Sequence, residues 1–168
     1  MNIRFLSILV LHSMLLTMEP VKNLDIEKFM GKWYVISNIP NFIEHKATNS
    51  YDEYVLNSDG TIEIFYHAFK NDNPITVKQR ATILDSENNS EWRLKLTKPC
   101  IPFLRLPYKV IIIDIDYQYM AVGYPNNKYG WIMSRDNKMD DDLYFEILNT
   151  LESKFGYNPK EFQKVIHN

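Results

Sequence analysis

The chain has 168 residues, 45% hydrophobic and 24% charged, a composition that can bury a core in a single domain and is not that of a disordered tail. Lys and Arg number 19 against 21 Asp and Glu, for a formal net charge of -2, so the basic footprint of a nucleic-acid binder is missing. The lone Cys100 excludes an internal disulfide, His12, His45, His67 and His167 are too scattered for a structural metal site, and Gly 5 leaves no glycine-rich phosphate loop.

Residues 1 to 18 place Arg4 before an apolar run from Phe5 to Leu16. The run is shorter than the roughly 20 residues of a membrane-spanning helix and reads as a secretory signal. Met18 stands where a bacterial lipoprotein signal has its cysteine, which argues against a lipid anchor. Residues 19 to 168 then read as one domain, without linker, repeat or low-complexity stretch.

Asn23, Leu24 and Asp25 followed by Glu27 predict a short capped turn, after which Gly31 frees the backbone to enter a strand. Strands are predicted at 32 to 39, 48 to 56, 61 to 69, 76 to 84, 91 to 97, 107 to 114, 118 to 124 and 129 to 135, each rich in β-branched or aromatic residues. Turn chemistry separates them: Asn57 to Gly60, Asn71 to Pro74, Asp85 to Ser90, Asp114 to Asp116 and Pro125 to Asn127. Eight sequential strands joined this way favour a closed antiparallel barrel, which leaves no exposed edge and has room for side chains or one small ligand. Asp140 to Asp142 then cap a helix whose Leu143, Tyr144, Ile147, Leu148, Leu151 and Phe155 fall at helical spacing, ending at Gly156. One apolar stripe places this helix on the outside of the barrel, and a last short strand, 162 to 166, returns beside the first.

Gly31-Lys32-Trp33-Tyr34, Asp116-Tyr117 followed by Ala121-Val122-Gly123, and Trp131-Ile132-Met133-Ser134-Arg135 stand in the order and spacing of the lipocalin family. From about Asn23 to the C-terminus the chain resembles the bacterial outer-membrane lipocalins and their apolipoprotein D-like relatives. The resemblance implies an all-β fold: an eight-stranded antiparallel up-and-down barrel with one C-terminal α-helix packed outside. It further implies a closed base where Arg135 lies across Trp33, with Gly31, Asp116 and Tyr117 as structural elements at the same end. A guanidinium over an indole contributes roughly 0.5 to 2 kcal/mol.

Side-chain alternation that turns Trp33 inward also turns Val35, Ser37 and Ile39 inward, and Arg135 at the base brings Met133 and Trp131 inward above it. The family register adds Tyr54, Ile64, Tyr66, Ala81, Leu94, Leu96, Tyr108, Val110 and Ile112. This apolar and aromatic lining suits an acyl chain, and no buried basic cluster asks for a multiply charged ligand. For any one of these residues, simple filling of a small barrel competes with ligand contact.

The proline-rich loop from Lys98 to Pro107 predicts a stiff exposed connection. Either it packs its own apolar residues, or Phe103 and Leu104 meet a membrane with Lys98 and Arg105 near phosphates. His45 falls in a lid-like loop, 38 to 48, as a solvent-facing residue. Asp52 and Glu53 point to opposite faces of a strand and Asp140 to Asp142 cap a helix, so neither group suggests acid/base catalysis. The expected function is an exported carrier of fatty acids or lysophospholipids in the periplasm or outer membrane of a bacterium, without cofactor, metal or catalysis and with dimerisation left open. Two alternatives stand: a lipid-modifying enzyme using Cys100, and a haem or tetrapyrrole binder, for which His67 would have to face inward.

Overall fold

In the computed structural model, which describes residues 18–168, regular structure begins at Asp25. Its carboxylate accepts the Glu27 and Lys28 N–H groups at 3.1 Å and caps α1 (Ile26–Phe29). Apart from Met18, the segment read as an export signal lies outside the described residues. Gly31 has a φ of 94°, a left-handed-side conformation that costs a side-chain-bearing residue, and from it the chain turns out of α1 into the first strand.

The strands are β1 (Gly31–Ile39), β2 (Thr48–Leu56), β3 (Ile62–Lys70), β4 (Asn73–Ile83), β5 (Glu91–Lys98), β6 (Leu106–Ile113), β7 (Tyr119–Gly123) and β8 (Gly130–Ser134). Each pairs antiparallel with its successor, and β1 pairs with both β8 and β2, which closes the barrel. Strand β4 starts earlier than its composition suggests. Asn71 and Asp72, both at positive φ, form a two-residue hairpin turn that puts Lys70 opposite Asn73 and draws Pro74 into the ladder.

Asp140 accepts the Asp142 and Leu143 N–H groups at the start of α2 (Asp141–Phe155). Tyr144, Ile147, Leu148 and Leu151 are its buried residues, packed with Ile36, Ile39, Ile111, Ala121 and Ile132 on the outer face of the barrel. Each such side chain stabilises the fold by about 1.5–3 kcal/mol on burial. A second core lies inside the barrel, built on Phe29, Trp33, Tyr54, Trp92 and Tyr108. The final strand, β9 (Gln163–Lys164), lies antiparallel to the far half of β1 at Ser37 and Asn38, as the return of the chain requires.

Two of the four register shifts in the barrel correct the simple alternation at residues expected in the lining. In β1 the register shifts between Val35 and Ser37, and in β6 between Val110 and Ile112. An extra residue in a strand reverses the facing of everything beyond it. Ser37 and Ile39 therefore face α2 and not the barrel interior: the Tyr144 hydroxyl meets Ser37 Oγ at 3.0 Å, and Ile39 belongs to the outer core. Ile112 likewise packs with the outer core, while Val110 stays inside.

Candidate functional site

The closed end of the barrel is organised around Trp33, whose indole N–H donates to the Phe29 carbonyl at 2.8 Å. The Arg135 guanidinium carbon lies 3.8 Å from the Trp33 ring centroid. Its N–H groups donate to the carbonyls of Lys32 (2.8 Å), Lys28 (2.7 Å), Phe29 (3.2 Å) and Tyr117 (3.2 Å). Tyr117, itself at positive φ, accepts the Asp25 N–H on its hydroxyl at 2.7 Å and so joins the β6–β7 turn to α1. Within that turn Asp114 accepts the Gln118 N–H on its side chain and the Gln118 side-chain amide donates to the Asp116 carbonyl; the Asp116 side chain is exposed and makes no hydrogen bond within the turn. Asp114 leads the turn and its carboxylate can fold back onto it, whereas Asp116 sits at the tip.

Above the base, Trp92 and Tyr108 stack with ring centroids 4.7 Å apart and planes 3° from parallel, and Phe29 meets Trp92 and Tyr54 edge-on. The hydroxyls of Tyr54 and Tyr108 share a hydrogen bond of 2.8 Å. Burial is the main cause that holds both phenols protonated far above the ordinary tyrosine range. This aromatic layer floors a cavity of about 370 Å³, near the small end of the roughly 300–1,000 Å³ typical of ligand pockets.

Of the residues expected to face inward, Tyr54, Ile64, Tyr66, Leu94, Leu96, Tyr108, Trp131 and Met133 line this cavity. Val35, Ala81 and Val110 are inside the barrel but packed below it, in the basal core. Simple filling therefore accounts for these three. Ser37, Ile39 and Ile112 are outside it, as the bulges dictate. Leu106, Pro107, Val122, Val77 and Gln79 complete the walls, and Phe42, Ile43, Ile101, Leu104, Tyr124, Lys128 and Tyr129 surround the mouth.

Two acidic residues also face this cavity: Asp52 on β2 and Glu44 on the loop between β1 and β2. Asp52 shares the parity of Tyr54, while its neighbour Glu53 is exposed on the outer face. Asn41 shapes the loop. Its side-chain oxygen accepts the Ile43 and Glu44 N–H groups (2.8 and 3.2 Å), its amide donates to Glu44 Oε2 at 2.6 Å, and Lys70 anchors the turn through the Phe42 and Ile43 carbonyls. Glu44 Oε1 then accepts the Trp131 indole N–H at 2.7 Å. Asp52 Oδ2 accepts the Tyr54 hydroxyl at 3.3 Å, but the buried Oδ1 has no hydrogen-bond partner. Burial pushes Glu44 up to about 6 against the pull of its donors; burial, then the Glu44 charge, push Asp52 up to about 8.

Sequence reading missed both. Asp52 was within reach, since the parity that turns Tyr54 inward turns Asp52 inward too. Glu44 carries no periodic signal because it sits in a loop. Trp92, at the parity of Leu94 and Leu96, was legible by the same rule.

The remaining candidates lie elsewhere. Cys100 is exposed on the loop after β5 and outside the cavity lining. His67 faces outward, stacked on Tyr51 with centroids 4.9 Å apart and 3.2 Å from the Thr76 hydroxyl. His45 is exposed, and His167 sits 2.9 Å from the Val35 carbonyl outside the barrel lumen. Phe42 and Phe103 stand at 81% and 95% exposure. No helix among the described residues is long and apolar enough to cross a membrane.

Residues 24–167 match the family model described as a lipocalin-like domain. Temperature-induced lipocalin-1 of Arabidopsis thaliana is 31% identical over 154 residues, covering 88% of this chain and 82% of that protein. Outer membrane lipoprotein Blc of Citrobacter freundii is 27% identical over 128 residues, 76% of this chain and 71% of its own. Among solved structures, insecticyanin from the tobacco hornworm Manduca sexta superimposes with a TM-score of 0.67 at 15% identity, covering 88% of this chain and 82% of that one. The cockroach allergen Per a 4 does so with a TM-score of 0.62 at 22% identity, covering 88% and 90%. These two share the fold.

Proposed function

Because this chain belongs to the lipocalin family, whose members typically bind small hydrophobic ligands, we propose that it is an exported carrier that holds one single-chain lipid, a fatty acid or lysophospholipid, in its barrel. The observation that carries this reading is the cavity of about 370 Å³, floored by Tyr54 and Tyr108 and walled by Ile64, Leu94, Leu96 and Met133. Burying about a dozen methylenes there would gross on the order of 10 kcal/mol before ordering costs. Export rests on the apolar run from Phe5 to Leu16 and on relatives named as outer membrane lipoproteins. Relatives also come from a plant and a virus.

The carrier works by burial without bond chemistry. Cys100 lies outside the cavity, and its segment supplies no histidine to activate a thiolate. The loop after β5 reaches the mouth through Ile101 and Leu104, and its exposed Phe103, with Lys98 and Arg105 on the same loop, forms the contact with a lipid surface during loading.

Mass spectrometry of protein purified under native conditions, followed by titration of tryptophan fluorescence with a fatty acid and a lysophospholipid, tests the reading. Trp131 is part of the wall and reports occupancy. A stoichiometric acyl lipid that shifts the Trp131 signal supports the carrier; an empty barrel indifferent to both lipids rejects it.

A further inference from the structure

We propose that Asp52 and Glu44 make this cavity a receptor for single-chain amphiphiles whose head is a protonated primary amine, an inference that rests on the carrier reading for the single apolar chain and departs from it in the head, preferring an amine to a fatty carboxylate. Asp52 lines a mostly apolar chamber, and its Oδ1 is buried without a hydrogen-bond partner. A buried polar atom left unpaired costs stability, and a ligand that brings a donor recovers that cost on binding.

The sign of the site selects the donor. The two carboxyl groups of the lining have no basic partner inside the barrel: among the described residues the sole Lys or Arg of the lining, Lys128, is exposed at the mouth. A fatty carboxylate head placed at this depth would meet the Glu44 charge and could face Asp52 only while Asp52 keeps its proton. A neutral alcohol supplies one donor and no charge. A quaternary ammonium supplies charge and no N–H, so it cannot satisfy Oδ1. A primary ammonium supplies charge and three N–H donors on a compact head. Two carboxylates also fall short of the six to eight oxygens that calcium collects, and the described residues hold no cluster of three or more metal-binding side chains.

The groups facing Asp52 support the same assignment. Glu44 comes from the loop, Tyr54 from β2 itself, Tyr66 from β3 and Tyr108 from β6, and burial, then the Glu44 charge, raise Asp52 while the Tyr54 bond lowers it. In the empty barrel at neutral pH, Asp52 therefore holds its proton. An arriving ammonium favours the carboxylate, so binding releases a proton. The apolar tail has the walls of Ile64, Leu94, Leu96 and Met133 to lie against.

The test compares decylamine, decanol and decanoate by calorimetry on the same protein, below their micellar concentrations. Decylamine is expected to bind roughly tenfold or more tightly than decanol. Repeating the titration at about pH 7 in buffers of different ionisation enthalpy should show release of close to one proton. In Asp52→Asn the preference for the amine and the proton release both vanish while decanol binding persists, which also shows that the variant is folded; Glu44→Gln weakens the preference. Equal affinity for amine and alcohol, or tightest binding of decanoate, overturns the amine assignment and leaves the carrier intact. Failure of all three to bind rejects the carrier reading and the amine assignment with it.

Discussion

The Arg135 guanidinium rests 3.8 Å from the centre of the Trp33 ring, and the two residues come from the last and first strands of the barrel wall. The same guanidinium collects the carbonyls of Lys28, Phe29, Lys32 and Tyr117. One side chain thus fastens α1, the start of β1 and the β6–β7 turn to the end of β8.

Truncating either partner should therefore act on stability first. Trp33→Ala removes a fully buried indole and is expected to cost about 3–5 kcal/mol. Arg135→Ala loses the ring contact and leaves carbonyls short of donors, for about 2–3 kcal/mol. Thermal melts check both values, and unchanged melting would contradict the fastening role. Ligand affinity should fall only in proportion to unfolding.

Trp131 behaves differently because it is part of the cavity wall and hydrogen-bonded to Glu44, not packed at the base. Trp131→Phe keeps an aromatic ring and loses the indole N–H. We expect a stability change of about 1 kcal/mol, loss of the ligand-dependent fluorescence change, and at least a several-fold drop in affinity. Intact binding with an intact signal would place the ligand elsewhere.

The raised Asp52 and Glu44 carboxyls give the empty protein an unusual pH dependence. Unfolded, both would ionise near pH 4; folded, they hold protons until about 6 for Glu44 and about 8 for Asp52. The folded state binds more protons over this window, so stability falls as pH rises from about 4 to 8. Asp52→Asn should flatten the upper part of the slope and raise stability at about pH 8 by roughly 1–3 kcal/mol. Denaturant melts across that range decide it, and a wild-type curve rising toward pH 8 would contradict the assignment.

The outward turn of Ser37 is tested from the helix. Tyr144→Phe removes the hydroxyl that meets Ser37 Oγ at 3.0 Å and should cost about 1 kcal/mol, with cavity affinity unchanged. A loss of affinity without loss of stability would put Ser37 back in the lumen.

Strand number, strand order, the outer helix and its cap were all legible, because periodicity and turn residues act locally. So was the basal pair, through three short motifs. The lining was only partly legible. Alternation holds from Trp33 to Val35 and fails at Ser37 and Ile39, because a bulge depends on how β1 must serve β8, β9 and α2 at once, and no residue in Val35-Ile36-Ser37 announces it. Ile112 fails for the same reason in a run of four β-branched residues where every register looks equally apolar. Asp52 was legible by parity. A carboxylate facing an apolar chamber runs against the expectation that charge stays outside, and its partner Glu44 depends on a loop shape set by Asn41 and Lys70.

The segment from Gln163 to Asn168 completes the barrel wall. Where β1 and β2 part company beyond Tyr34, the segment from Gln163 onward fills the gap: Val165 N–H donates to the Ile36 carbonyl at 2.9 Å, Asn49 N–H to the Ile166 carbonyl at 2.8 Å, and Asn168 N–H to the Asn49 side chain at 2.8 Å. During synthesis the far half of this seam therefore stays unzipped until the segment has left the ribosome. A nascent chain that has already made both strands carries the far halves of β1 and β2 as raw edges facing each other across the slot, a template for pairing with another chain.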